Sequence, residues 1–284
     1  LKCLRINFVD FWHGFNPQID PVFGDLLNSQ YDVIYTFERP DIVIFSVFGN
    51  VHKNYSKEST TKIFYTPENF LQHHYPALDG VLGFDHVWDY ANYSITSFTS
   101  NDFRNYRMPC YIRRRGFKIK HDIEQYTNSE KTKTAIYLQS SCLPERDNFA
   151  AKLMDHIDID CPGRCLKNMS ANVLDKLQFI KDYKFVLAIE NSSTPGYSSE
   201  KITDPFIAGS VPIYRGDPNI ADDFNEDSFI NYHSYDTDEK FIEDIIELNS
   251  NEEKYNSMLK NSKIKNHDLF DEEKFMAFFQ KVVK

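Results

Sequence analysis

Short apolar runs alternate along this chain with stretches whose apolar residues recur at helical spacing. In the first half, residues 4–9, 31–36, 41–48, 62–65 and 80–84 read as strands from their β-branched and aromatic content, with a helix over 20–28. In the second half, strand-like runs at 134–139, 157–159, 185–189 and 211–214 are separated by helical patterns at 145–156 and 172–180. That alternation predicts βαβ units and mostly parallel sheet. Helical patterns over 240–248, 252–260 and 272–283 close the chain, the last with Phe275, Phe278, Phe279 and Val282 on one stripe. Its polar face is not strongly basic, so core packing is expected of it rather than membrane adsorption. Residues 117–133 are polar, with few large apolar side chains, and the domain crossing is expected there, giving units 1–125 and 126–284.

At 284 residues the chain is long enough for two α/β domains, each with a real core. A net charge of −10 argues against a nucleic-acid partner, because phosphate-backbone binding needs a basic stripe. The one basic cluster, Arg113, Arg114 and Arg115, reads as a solvated turn near the domain boundary. No stretch approaches the roughly 20 apolar residues that span a bilayer, so a soluble chain without a transmembrane segment is expected. A removed anchor stays open, because the sequence does not begin with Met. Five irregularly spaced cysteines suit neither a disulfide scaffold nor a four-ligand zinc site. Buried thiols are expected, with a Cys161–Cys165 pair as the alternative in an oxidising compartment.

Chemistry concentrates in residues 183–216, YKFVLAIENSSTPGYSSEKITDPFIAGSVPIYRG. They read as strand, polar loop, helix and strand, with acidic and basic side chains gathered in and just after the loop. Glu190, Asn191, Tyr197, Glu200 and Lys201 fall near the carboxyl end of the first strand, where open α/β sheets bind ligands. A following helix adds exposed amides that favour phosphate. The residues alone support a nucleotide-type ligand. Pro205 lies inside the expected helix, where it predicts a kink or a fresh start with Asp204 as the cap. The Asp158 and Asp160 pair sits in an apolar strand and is read as structural rather than as a metal-binding D-x-D. Four N-x-S/T sequons begin at Asn54, Asn92, Asn168 and Asn191, and a glycan on Asn191 would block the loop.

The strings ENSSTPGYSSEK and AGSVPIYRGDPNI resemble the donor-binding signature of the α1,3/α1,4-fucosyltransferase family. FYTPEN at 64–69, GFDHVWDY at 83–90, YRMPCYIRR at 106–114 and ERDNFAAKL at 145–153 are further similarities. Together they run from about Phe64 to Tyr232, more than half of the chain. The resemblance implies a GT-B fold, two Rossmann-like domains facing across a cleft, with the acceptor on the amino-terminal side and GDP-fucose on the other. It implies Glu200 as the ribose-binding acid, Lys201 as the diphosphate-binding base, and Asn191, Tyr197 and Ser199 as donor-loop contacts. Ser199 stands where Thr is common, which keeps the hydroxyl. Arg146 matches an arginine at the first turn of a helix, where a guanidinium can hold the β-phosphate and stabilise the departing diphosphate. Glu68 matches the proposed general base, with Pro67 in place of the family's Gly.

The activity implied by this resemblance is an inverting transfer of L-fucose from GDP-fucose to a hydroxyl, the 3-OH of GlcNAc or glucose, in a lactosamine-type or chitobiose-core glycan. No cofactor or metal is expected. Trp12 and His13, on the loop after the first strand, are weaker candidates for the acceptor side. Two rivals stand beside this reading: a GT-B transferase using another nucleotide sugar, and a non-catalytic carbohydrate-binding module on the same fold. The compartment is open between cytoplasm or peripheral membrane and a Golgi lumen.

Overall fold

The computed structural model describes residues 1–69, 87–125 and 130–283. The chain divides into two compact units: Leu1–Phe117 together with Asp268–Lys284, and Lys118–His267.

The first unit is a six-stranded parallel sheet built from β1 (Lys2–Val9), β2 (Tyr31–Tyr35), β3 (Ile42–Phe45), β4 (Thr61–Thr66), β5 (Tyr93–Thr96) and β6 (Asn105–Arg107). The strand order is β2-β1-β3-β4-β5-β6. The central strand β3 is buried at every position, as a parallel strand covered on both faces must be, which is why IVIF is a continuous apolar run. The helices here are α1 (Gly24–Gln30), α2 (Val87–Tyr90) and α3 (Cys110–Arg115). The helix expected over 20–28 starts late, because Asp20 turns the chain first by accepting the amides of Val22 and Phe23 at 2.9 and 3.1 Å. The strand expected at 80–84 lies outside the described residues. Arg113, Arg114 and Arg115 form the last turn of α3, with Arg114 and Arg115 exposed.

The second unit opens with α4 (Ile119–Glu124) and contains a five-stranded parallel sheet of β7 (Lys133–Ile136), β8 (Ile159–Asp160), β9 (Tyr183–Ile189), β10 (Val211–Arg215) and β11 (Ile230–Asn231). Its order is β11-β10-β9-β7-β8, with β9 at the centre. Its helices are α5 (Pro144–Met154), α6 (Lys176–Ile180), α7 (Glu200–Ile207), α8 (Asp238–Ser250) and α9 (Glu252–Lys260). Phe149 and Leu153 of α5, Phe241 and Ile245 of α8 and Tyr255 of α9 bury one sheet face with Phe185, Leu187 and Ile213. On the other face Ile180 and Ala208 pack against Ile136, Tyr183 and Val186.

The closing helix α10 (Glu272–Val282) belongs to the first unit, so the division at 125/126 expected from the sequence is corrected on two counts. The crossing falls after Phe117, and the amphipathic stripe returns: Phe275 meets Phe23, Tyr106 and Phe117 at ring distances of 6.2, 5.1 and 5.5 Å, and Phe279 meets Tyr31. The expectation that this stripe packs into a core holds. No helix among the described residues is long and apolar enough to cross a membrane.

Pro205 does not restart α7. The helix runs through it from the Ser199 cap to Ile207, with Ala208 as its C-cap. Gly209, with φ +68°, takes the left-handed position after the helix, and the amides of Gly209 and Ser210 reach back to the carbonyls of Phe206 and Pro205. Asp204 is no cap: it is buried and paired with Lys176 at 2.9 Å.

The cysteines also depart from expectation. Cys142, in the loop after β7, is bonded to Cys165, at a Cα separation of 5.2 Å, while Cys161 is a buried free thiol. The sequence neighbours Cys161 and Cys165 are therefore not a pair, since the fold brings a partner from 23 residues away.

Candidate donor site

Parallel pairing of β9 with β10, Ile189 opposite Arg215, sets the two strand ends level. The chain leaves β9 at Glu190, whose amide still bonds to the Arg215 carbonyl at 2.8 Å. Beyond it the loop Asn191 to Ser198 leads to α7, and α5 brings Arg146 to the same edge.

Leu143, Pro144, Glu145, Arg146, Ile189 to Ser193 and Arg215 line a cavity of about 240 Å³. Arg146 is not the surface arginine its helix position allows. It is 3% exposed, donates from Nη1 to Asn191 Oδ1 at 2.6 Å and from Nη2 to the Ser141 carbonyl, and so is locked at the cavity wall. Asn191 is exposed, and Tyr197 is buried.

Ser199 caps α7, its hydroxyl accepting the Lys201 amide at 3.4 Å. The same hydroxyl lies 2.9 and 2.7 Å from the two oxygens of Glu190, which also accepts the Ser199 amide at 2.7 Å. Lys201 Nζ donates to Glu190 Oε2 at 3.1 Å and to Ser199 Oγ at 3.2 Å. Burial is the largest influence on Lys201 and pushes its pKa down, but the carboxylates of Glu190 and then Glu200 more than offset it against Arg146, and the net shift is upward. Lys201 is therefore held as a cation. Glu200 is half-buried in the first turn of α7. The structure thus gathers Arg146, Asn191, Ser199, Glu200 and Lys201 about one strand end.

Two more residues join them: Glu190, placed by the sequence at this strand end but given no specific contact, and Arg215, which the sequence pattern did not single out. Glu190 ends the apolar run of β9, and its being the lone acid at the end of five apolar residues was the available signal. Arg215 ends β10 in the same way. Its guanidinium lies over the rings of Phe149 and Tyr232 at 4.8 and 5.1 Å and bonds Glu145 at 2.7 Å, fixing a second cation on the cavity wall.

In the first unit, Glu68 sits two residues beyond β4, half-buried, its amide bonded to Thr66 Oγ1 at 3.2 Å. Pro67, buried just before it, fixes the backbone that aims it. Trp12 belongs to an aromatic cluster with Phe11, Phe15 and Phe48, and the Arg113 guanidinium lies 4.0 Å over its ring. His13 is exposed beside it. The loop that carries both leaves β1 at Asp10, held at φ +61° while its carboxylate accepts the amides of Val51 and His52 and pairs with His52 Nδ1 at 2.7 Å. Burial opposes the charge on Asp10, and these bonds more than offset it, so its pKa falls below the usual range. Among the described residues, the group with metal-type side chains within mutual reach is Cys142, Asp147 and Cys165, and its two sulfurs are already joined to each other. Asp160 is bonded by Tyr183 and Lys133 at 2.7 and 3.3 Å, while Asp158 is exposed and lies before β8.

Each unit is a parallel α/β layer, and the second carries a polar, cation-lined cavity at its strand ends, an architecture of the GT-B fold class. The structure aligns with that of an α1,3-fucosyltransferase at a TM-score of 0.79 and 22% identity, covering 99% of this chain and 90% of the other. The GDP-fucose complex of an α1,3-fucosyltransferase aligns at 0.77 and 20%, covering 100% and 91%. The glycosyltransferase family 10 (fucosyltransferase) C-terminal model matches residues 128–280, and the model of the α-(1,3)-fucosyltransferase FucT N-terminal domain matches 6–112. The chain belongs to glycosyltransferase family 10. Among curated proteins it is 27% identical over 257 residues to the α-(1,3)-fucosyltransferase FucT of Helicobacter pylori, an alignment covering 78% of this chain and 51% of that protein. The chain thus spans about half the length of that relative.

Proposed function

We propose that this chain transfers L-fucose, with inversion, from GDP-fucose to the 3-OH of a GlcNAc or glucose unit in a lactosamine-type or chitobiose-core glycan. The observation that carries the reading is the cavity at the ends of β9 and β10, where Arg146 and Asn191 form the wall and Lys201 stands charged beside it. In this reading the two cations neutralise the diphosphate, Glu200 accepts the ribose hydroxyls, and Tyr197 and Ser199 shape the loop around the donor.

The chemistry is a single displacement. The acceptor oxygen forms its bond to the fucose anomeric carbon as the bond from that carbon to the β-phosphate oxygen breaks. Glu68 takes the acceptor proton, a contribution of about 10²–10⁴-fold in rate. The electron pair of the broken bond leaves on GDP, and Lys201 and Arg146 stabilise the growing charge, a role that preorganised cations fill well in a site poor in water. Trp12 offers an apolar ring face for the acceptor sugar, with His13 at its rim.

GDP-fucose supplied with a panel of lactosamine-type and chitobiose-core acceptors, with product linkage read by NMR, tests the reading. A fucosylated product bearing an α1,3 bond is expected. Turnover of UDP- or CMP-sugars with no response to GDP-fucose, or glycan binding without any product, overturns it.

A further inference from the structure

The carboxylate of Glu190 has no solvent-exposed surface, and an ionised carboxylate in such a place is stable only when its lone pairs and charge are matched. Here they are matched by groups of the donor site itself: the Ser199 amide, the Ser199 hydroxyl and the Lys201 ammonium. A serine hydroxyl has one proton, so it donates to Glu190 while accepting from Lys201 Nζ, which closes a three-membered ring of bonds. Glu190 is anchored in turn by its place at the end of the central strand and by Gly216, where an added Cβ would lie 2.4 Å from Glu190 Cγ.

We propose that Glu190 is a positioning residue for the donor diphosphate, tying the α7 cap and the Lys201 side chain to the end of β9 so that the ammonium is fixed in one place and kept charged. The proposal rests on the donor reading above. A lysine on a flexible four-carbon stem loses considerable freedom when it grips a phosphate, and a lysine already fixed has less to lose. A negative charge beside the diphosphate works in the opposite direction. Lys201 answers that charge for as long as the ammonium keeps its proton.

Alkaline pH tests that condition. The charged groups facing Lys201 are Glu190 on β9, Glu200 on α7 and Arg146 on α5. Without the Glu190 charge, burial and Arg146 oppose the ammonium against Glu200 alone, so Lys201 gives up its proton at lower pH.

The test is GDP titration by calorimetry from pH 7 to pH 10 on wild type, Glu190→Gln, Glu190→Asp and Lys201→Ala. For Glu190→Gln, the ratio of wild-type to variant GDP affinity is expected to grow by about tenfold from pH 7 to the alkaline end, the size of one charge-assisted contact. Glu190→Asp keeps the charge but draws it back by one carbon, so its alkaline limb should fall between the other two. It also carries the test if the amide variant does not fold, through an alkaline limb below that of wild type. A loss of equal size at every pH, or no loss at any pH, overturns the proposal, because a merely structural glutamate gives one or the other. Lys201→Ala separates this failure from that of the donor reading: unaltered GDP affinity in Lys201→Ala overturns the reading itself. Weakened affinity there with a wild-type profile in Glu190→Gln overturns only the role of Glu190.

Discussion

Gly216→Ala is the smallest change that should be felt both in the fold and in the donor site. The new Cβ would lie 2.4 Å from Glu190 Cγ, 2.7 Å from the Tyr214 hydroxyl and 2.8 Å from Glu190 Cβ, so the neighbours must retreat by about 1 Å to reach ordinary contact. Tyr214 has no room to do so, and Glu190 could move only into the cavity and away from its partners. Tyr214 is fully buried and its hydroxyl accepts the Asp217 amide at 2.9 Å, while Glu190 is held by Ser199 and Lys201. Overpacking of this kind costs about 1–3 kcal/mol, and losing the Tyr214 bond adds about 1 kcal/mol. A loss of about 2–4 kcal/mol corresponds to a fall of roughly 5–12 °C in the melting temperature for a unit of this size. Because Glu190 moves with its partners, GDP affinity should also drop, by up to about tenfold at the alkaline end. Thermal melts and calorimetric GDP titration measure the two losses, and adding Tyr214→Phe should recover part of the stability, since it removes one of the clashing atoms. Melting and GDP affinity both unchanged in Gly216→Ala would refute the argument that Gly216 is what holds Glu190 against the strand end.

Glu68→Gln should lower transfer by about 10²-fold or more while leaving GDP affinity unaltered, a split read by initial rates beside GDP titration. Arg146→Lys should weaken GDP binding by about tenfold, because an ammonium cannot reproduce the two-pronged hold on Asn191 and the Ser141 carbonyl. Replacing Cys142 and Cys165 together by Ser should cost about 3 kcal/mol, the chain entropy of a loop closed across 23 residues, and should make the melting temperature insensitive to dithiothreitol. Transfer should persist in EDTA, since the reading gives Lys201 and Arg146 the charge neutralisation that a divalent cation would otherwise supply.

The parts of this protein legible in its sequence are those fixed by local pattern. Strands buried on both faces must be apolar throughout, so β3, β9 and β10 stood out, and α5 and α8 to α10 declared themselves by helical spacing. The donor loop was legible because a sheet end is where polar residues are tolerated between two such strands. What pattern could not reach is long-range pairing. The return of α10 to the first unit depends on Phe275 meeting Phe23, 252 residues earlier in the chain, and the Cys142–Cys165 bond depends on where two loops end.

Glu190 illustrates the limit most directly. In sequence it is one more acid in a polar loop beside the Glu200–Lys201 pair, and adjacency suggests that Lys201 answers to Glu200. In a helix, neighbours in sequence point about 100° apart, so Glu200 and Lys201 face different directions from the first turn of α7. It is the residue 11 places before the lysine, at the end of β9, that meets it, because the cap at Ser199 turns the helix start back over the strand end. A buried carboxylate that ends a strand, with a serine cap and a lysine two residues past the cap, is therefore one three-part unit. Its parts are only intelligible once the strand, the loop and the helix are seen to close on each other.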